Sequence, residues 1–357
     1  MAAKVDRATG QTGDERLEDF HRRLADSSLA GHWQSREQVA KLKPWVWRWK
    51  DIYSALIESG ELVPMGGAGE ANNRRTVQLI NPALTGLKST SRTLHVSIQL
   101  VKPGETAEAH RHTFNAMRFV VQSKGGMYTT AEGEQMIMEP GDLLVQPGWA
   151  WHDHTNPSDE PAIWLDLLDH PLTRYFDSMA SEVFANGAAQ PITKPDGYCR
   201  QQFGSVRPRT GESGANKWVA YSYKWDETLK TLEKLAAVEG GGDPYDGVLL
   251  EYTNPLTGGS TLPTLGAWVQ MLRPGEATKP HRHTACTLYH TLQGGGITTV
   301  GQGETEKLQW GKRDCFFVPS WQWHQHRNLS KTEPAILFSL TDRPAVEQLG
   351  FYREEKG

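Results

Sequence analysis

The sequence predicts an all-β core of two tandem antiparallel barrels of jelly-roll type, preceded by a helical N-terminal segment. Three observations carry this. The chain has 357 residues, room for about two domains. It holds 35 glycines and 20 prolines, a turn-rich composition that favours many short strands over a helical bundle. It also repeats itself. PGETAEAHRHTFNAMRF from Pro103 matches PGEATKPHRHTACTLYH from Pro274, and QPGWAWHDHTN from Gln146 matches VPSWQWHQHRN from Val318. LINPALTG from Leu79 likewise resembles YTNPLTGG from Tyr252. His281 follows His110 by 171 residues and His324 follows His152 by 172. Separate blocks at a nearly constant offset mark a duplicated domain.

The elements follow in order. Asp14 to Leu29 is amphipathic and reads as a helix, with a shorter candidate from Asp51 to Ser59. WVWRW, with Trp45, Trp47 and Trp49 alternating, reads as a strand that buries one aromatic face. TLHVSIQLV from Thr93, RFVVQ from Arg118 and DLLVQP from Asp142 are short, rich in β-branched residues and bounded by turn formers. Trp225 to Val238 is a further helix, ended by GGGD at Gly240–Asp243. This gives an N-terminal segment at 1–60, a first barrel at 61–180, a linker with a helix at 181–239 and a second barrel at 240–357.

Composition excludes some functions. Thirty-eight basic residues against 42 acidic ones give a formal charge of −4. That leaves no basic face for a nucleic acid. No apolar run reaches the roughly 20 residues of a membrane span. The polar N-terminus lacks a signal core. Cys199, Cys286 and Cys315 form neither a disulfide framework nor a CxxC pattern. A reduced, cytoplasmic protein is expected.

The candidate chemistry lies in the histidines. His110 and His112 stand at i and i+2, so on a strand both face one way while Arg111 faces the other. His152 follows across the next hairpin. Three imidazoles converging in a barrel form a facial metal site with open positions. His281, His283 and His324 reproduce the set in the second repeat, as candidates for a second metal site.

PGETAEAHRH with GDLLVQPGWAWHDHTN resembles the two cupin motifs, and the duplication resembles a bicupin. HRHTFNAMRFVVQ, WHDHTN and WLDLLDHP, with GELVPMGGAGEANNRRTVQLINPAL from Gly60, resemble more narrowly the gentisate and salicylate 1,2-dioxygenase family. The resemblance runs from about Trp33 to Phe351. It implies a bicupin fold, an Fe(II) cofactor, commonly a homotetramer, and ring cleavage by O₂ between the carboxyl- and hydroxyl-bearing carbons of a 2-hydroxybenzoate. The usual cupin glutamate is missing: Asn115, Ala116, Met117 and Arg118 occupy that stretch. Three neutral ligands leave three open positions on a six-coordinate ion, two for an acidic phenol and one for O₂.

Substrate contacts are read by face. His95, Ser97 and Gln99 share one parity on their strand, and Arg118 shares that of His110 and His112. A buried arginine facing a metal needs an anion, and the substrate carboxylate is the obvious one. The resemblance assigns Arg118 that role and implies substrate contact at Arg74, Gln99 and His154. It makes Asp166 a carboxylate that orients a ligand imidazole. By residue type alone, Arg74 reads equally as a surface arginine, Gln99 as a strand-pairing amide, His154 as a structural histidine and Asp166 as a surface carboxylate. Trp149, Trp151, Trp321 and Trp323 are expected to shield the barrel mouths.

In the second repeat Tyr289 replaces Arg118 and Gly247 replaces Arg74, so catalysis is expected in the first barrel alone. His95 stands where the family usually has tryptophan. A polar wall there favours a ring-substituted salicylate such as 5-nitrosalicylate, with gentisate and then 1-hydroxy-2-naphthoate as alternatives. Two other readings remain at this stage: a bicupin decarboxylase of small acids, which would use the missing glutamate, and a non-catalytic metal-binding bicupin.

Overall fold

The structure is a computed structural model. It describes residues 12–34, 41–65, 74–185, 188–209, 217–302 and 305–357. Part of the family-like stretch after Gly60, residues 66–73, lies outside the described residues.

The chain divides into two units, the first of them residues 1–41. Its helix spans Gly13–Asp26. Thr12 caps it: the hydroxyl accepts from the Glu15 amide, and the Glu15 carboxylate accepts from the Thr12 amide. No residue of this helix is buried.

From Leu42 onward the chain forms one compact unit of two barrels, each a six-stranded sheet closed over a five-stranded one. In the first barrel the six-stranded sheet runs Tyr221–Tyr223, Leu143–Gln146, Ala116–Gln122, Ala162–Leu168, His95–Val101, Thr76–Gln78. The five-stranded sheet runs Ser181–Val183, Thr106–His112, His152–Thr155, Tyr128–Ala131, Glu134–Ile137. The second barrel repeats this order strand for strand, from Trp45–Trp47 through Cys315–Val318, Thr287–Gln293, Ala335–Thr341 and Gly266–Leu272 to Val248–Glu251.

The strand formed by Trp45–Trp47 precedes the first barrel in sequence but pairs in the second, Trp47 opposite Cys315. Tyr221–Tyr223 lies in the stretch assigned as linker, yet pairs with Leu143–Val145 of the first. The barrels therefore exchange edge strands. The helix after each, Trp49–Leu62 and Trp225–Ala236, starts on a carboxylate of the sheet its strand has joined: Asp314 accepts from the Trp49 amide, and Asp142 from the Trp225 amide. The aromatic repeat at 45–49 is thus a three-residue strand running into a helix.

Strand parity then divides the side chains. On the strand His95–Val101, Val96, Ile98 and Leu100 enter the large core shared by both barrels, where Phe119 stacks on Phe338 at 4.0 Å. His95, Ser97 and Gln99 alternate with them and face the first barrel's interior. The same alternation turns Met117, Phe119 and Val121 to the shared core, and Arg118 and Val120 inward. A strand with both faces buried carries no polar/apolar alternation unless one face is functional.

Candidate metal and substrate site

His110, His112 and His152 lie side by side on paired strands, His110 opposite His152. Their donor nitrogens fall within 4.8 Å of one another. The Nδ1 atoms face backbone carbonyls: His112 to Phe114 at 2.8 Å, His152 to Ala150 at 2.9 Å, His110 to Glu108 at 3.2 Å. A proton held on Nδ1 leaves Nε2 bare toward the centre. Nε2 of His152 is buried with no protein partner. Burial, reinforced by neighbouring guanidinium groups, lowers the pKa of His112 to about 3 and those of His110 and His152 well below the usual imidazole range. All three are neutral at pH 7, the form that ligates a metal. No carboxylate belongs to this donor group. The set fits a divalent transition metal with open positions.

Two arginines face this centre. Arg118, 2% exposed, donates from Nη1 to Gln146 Oε1. Its Nε lies 3.3 Å from Asp166 Oδ1, near enough for attraction but not aligned as a hydrogen bond. Arg74 donates to the Glu108 carbonyl at 2.9 Å, and its Nη2 sits 2.6 Å from His110 Nδ1. If His110 ligates through Nε2, its Nδ1 proton goes to the Glu108 carbonyl and Arg74 must find another acceptor. The neighbouring Arg75 fixes this stretch: it is buried and makes a bidentate pair with Glu105, both contacts at 2.8 Å. Burial and the adjacent Arg118 lower Arg74 to about 10.

Asp166 accepts from Trp164 Nε1 at 3.0 Å and lies opposite both Arg118 and Ser97 in the sheet. Burial raises its carboxyl pKa while the two guanidinium groups oppose that. It orients Arg118; among the described residues no hydrogen bond joins it to an imidazole. The expectation that it positions a ligand histidine is corrected accordingly.

His154 is held by Thr129, Nδ1 to Oγ1 at 2.7 Å, and its Nε2 is buried without a partner. Gln99 is fully buried with neither amide atom satisfied. His95 Nδ1 is also unsatisfied, and burial together with His170 lowers its pKa to about 4. The His95 ring meets His170 edge-on at 5.0 Å, and His170 meets Phe114, which stacks on His112.

The tryptophans that flank the ligand histidines grip arginines. Trp149 and Trp151 each hold the Arg111 guanidinium at 4.5 Å, and Trp321 and Trp323 do the same for Arg282 at 4.3 and 4.9 Å. Each arginine also pairs with a glutamate of the adjoining edge strand, Glu182 or Glu355.

The sequence reading missed a cross-barrel contact. Asp169 accepts from the Asn115 amide and side chain and from the Thr264 hydroxyl of the second barrel. Asn115 Oδ1 in turn holds the Gly148 amide. This network ties the turns after His112 and before His152. Its mirror uses Thr93 and Cys286 on Asp342. Thr93 and Thr264 differ by 171, as do Asn115 and Cys286, so aligning the repeats would have flagged these positions.

Two tandem barrels with a histidine cluster in each define a bicupin, and the Cupin domain model matches residues 97–168 and 268–341. The chain belongs to the gentisate and salicylate 1,2-dioxygenase family and is a ring-cleaving dioxygenase. It is 39% identical to a 5-aminosalicylate 1,2-dioxygenase of Comamonas sp. over 95% of this chain and 90% of that one. It is 37% identical to a gentisate 1,2-dioxygenase of Haloferax sp. over 94% and 95%. A solved salicylate 1,2-dioxygenase from Pseudoaminobacter salicylatoxidans, in adduct with gentisate, superposes with a TM-score of 0.85 at 31% identity, covering 99% of this chain and 97% of that one. No helix among the described residues is long and apolar enough to cross a membrane, and the three cysteines are free and buried.

Proposed function

We propose that the first barrel cleaves a salicylate bearing a polar 5-substituent, at an Fe(II) ion held by His110, His112 and His152. The observation that carries this is the set of unsatisfied polar atoms on the barrel's inward face: His95 Nδ1, both amide atoms of Gln99, His154 Nε2 and Arg118 Nε. Buried polar atoms without partners are costly, about 1–3 kcal/mol each. An aromatic acid carrying a phenol and a further polar group supplies the partners. Two guanidinium groups face the single carboxylate of Asp166, and that excess positive charge calls for an anion.

Iron(II), when bound, supplies the Lewis acidity and one-electron chemistry that let dioxygen react with an aromatic ring. The protein does the rest. Arg118, held by Gln146 and Asp166, pairs with the substrate carboxylate. Arg74, released from His110 when that ring donates to the Glu108 carbonyl, adds a second cation. His154 Nε2 receives the phenol proton or holds the deprotonated oxygen. Gln99 fixes the ring's edge. His95, neutral at pH 7, meets the 5-substituent with Nδ1.

The 5-aminosalicylate relative supports an amino group at that position. Gentisate, which is 5-hydroxysalicylate, satisfies the same contact and is the second reading; 5-nitrosalicylate belongs to the same class. A homotetramer is part of this reading. Oxygen-electrode traces of anaerobically Fe(II)-loaded protein test it: uptake coupled to loss of aromatic absorbance is expected with 5-amino-, 5-hydroxy- and 5-nitrosalicylate above salicylate and 1-hydroxy-2-naphthoate. Uptake with none of the five would overturn it.

A further inference from the structure

We infer that the first barrel carries a further binding site, apart from its histidine cluster, for a small amine in its ammonium form attached to a single apolar ring. The site is a cavity of about 350 Å³ walled by the first barrel, by the segment that links the barrels and by Leu256 of the second. None of the residues assigned above to metal or substrate lines it.

The observation that points to a ligand is Glu134. It opens the strand Glu134–Ile137, lines the cavity and is 3% exposed. Its Oε2 accepts from the Cys199 amide at 2.9 Å, near the start of the short helix Tyr198–Phe203. Its Oε1 is buried with no partner. The neighbouring cations are engaged elsewhere. Lys194 Nζ donates to the Glu132 carbonyl at 3.0 Å, and Arg200 donates to the Ser222 hydroxyl at 2.7 Å and to Asp196 at 3.4 Å. A buried carboxylate oxygen left in this state calls for a donor that carries positive charge. Burial raises the Glu134 carboxyl pKa against the pull of the Cys199 amide, and a bound cation would lower it again.

The rest of the lining fits the same ligand. Glu132 and Glu134 outnumber Lys194, an excess of one negative charge. Tyr198, Phe203 and Trp218 supply aromatic surface. The Tyr198 ring already attracts one ammonium, Lys194 Nζ at 5.3 Å from its centroid. A cavity of this size lies at the lower end of the range for small-molecule sites and admits one ring with a short arm.

The test is equilibrium binding of benzylamine to the full-length, metal-loaded protein, held anaerobic, with and without saturating gentisate. Calorimetry and ligand-observed NMR read it. One benzylamine per chain is expected, with the same affinity in both conditions. Benzyl alcohol, the neutral analogue, and benzoate, the anionic one, are each expected to bind about tenfold more weakly or worse, the loss of one charge-assisted hydrogen bond. Glu134→Gln keeps an acceptor for the Cys199 amide and is expected to weaken benzylamine by the same factor. Should that variant not fold, the three ligands on the native protein decide the matter. No benzylamine binding up to about 10 mM overturns the inference. Benzyl alcohol or benzoate binding as tightly as benzylamine overturns it, as does benzylamine binding that Glu134→Gln leaves unchanged. Binding that gentisate abolishes would place the amine at the metal and overturn it too, while leaving the proposed function intact.

Discussion

The two barrels share strand order, register and histidine geometry, yet their interiors differ in kind. Around the first cluster stand Arg74, Arg118, Asp166, His95 and Gln99; at the equivalent places of the second stand Gly247, Tyr289, Ser339, Gly266 and Gln270. Gln270, unlike Gln99, is occupied: it donates to the Asp246 carbonyl at 2.5 Å. The difference teaches that a histidine triad marks where an ion can sit, while the charges on the neighbouring six-stranded sheet decide what can meet it. The first barrel sets Arg118 opposite Asp166 on that sheet. The second sets Tyr289 opposite Ser339 there, with the Tyr289 ring stacked on Phe316.

The most severe way to probe this contrast is to remove one ligand from each barrel. His112→Ala is expected to lower oxygen uptake by about 10³-fold or more, while His283→Ala keeps most of it; equal losses would break the asymmetry. Arg118→Gln is expected to cost about 10²- to 10³-fold in kcat/KM, the range for truncating one partner of a buried charge pair. Installing the reverse change, Tyr289→Arg, should create no second activity. His95→Trp is expected to shift preference from 5-aminosalicylate toward unsubstituted salicylate by about tenfold, read as the ratio of the two kcat/KM values. Unchanged preference would remove His95 from the substrate contacts.

Much of this was legible in the chain. The repeat offsets and the HxH pairs located both clusters, and strand parity put His95, Ser97, Gln99 and Arg118 on one inward face. Pairing between distant segments was not legible. Trp45–Trp47 joins Cys315–Val318 across some 270 residues of chain, and nothing local in WVW says which sheet it will enter. Asp166 was given the wrong partner because a carboxylate's choice between an imidazole and a guanidinium is settled by register, Asp166 opposite Arg118. The cross-barrel grip of Thr264 on Asp169 was invisible for the same reason.

That grip predicts a smaller effect. Thr264→Val removes one hydrogen bond from Asp169 and loosens Asn115, at a cost of about 1 kcal/mol. It is expected to lower kcat/KM about fivefold from a residue of the other barrel, with the thermal midpoint lowered by only about 2–4 °C. A loss of stability with native kinetics would make Thr264 a packing residue only. Weakest is the pH response. Burial lowers His95 to about 4 and His290 to about 3, below the roughly 6.5 of an unfolded histidine. The unfolded chain therefore binds more protons between those limits, and stability is lost as pH falls from about 6.5 toward 3–4. Urea midpoints of the metal-free protein should fall accordingly, and His95→Trp should flatten the slope by the contribution of that one ring. A slope untouched by that change would remove His95 from the response.

The direct measurement is the number of substrate molecules held per chain when every metal site is filled. Anaerobic equilibrium titration of the metal-saturated protein with gentisate, by calorimetry, is predicted to give one, abolished by Arg118→Gln and unaffected by Asp246→Asn. Two per chain, or binding that survives Arg118→Gln, would contradict the account.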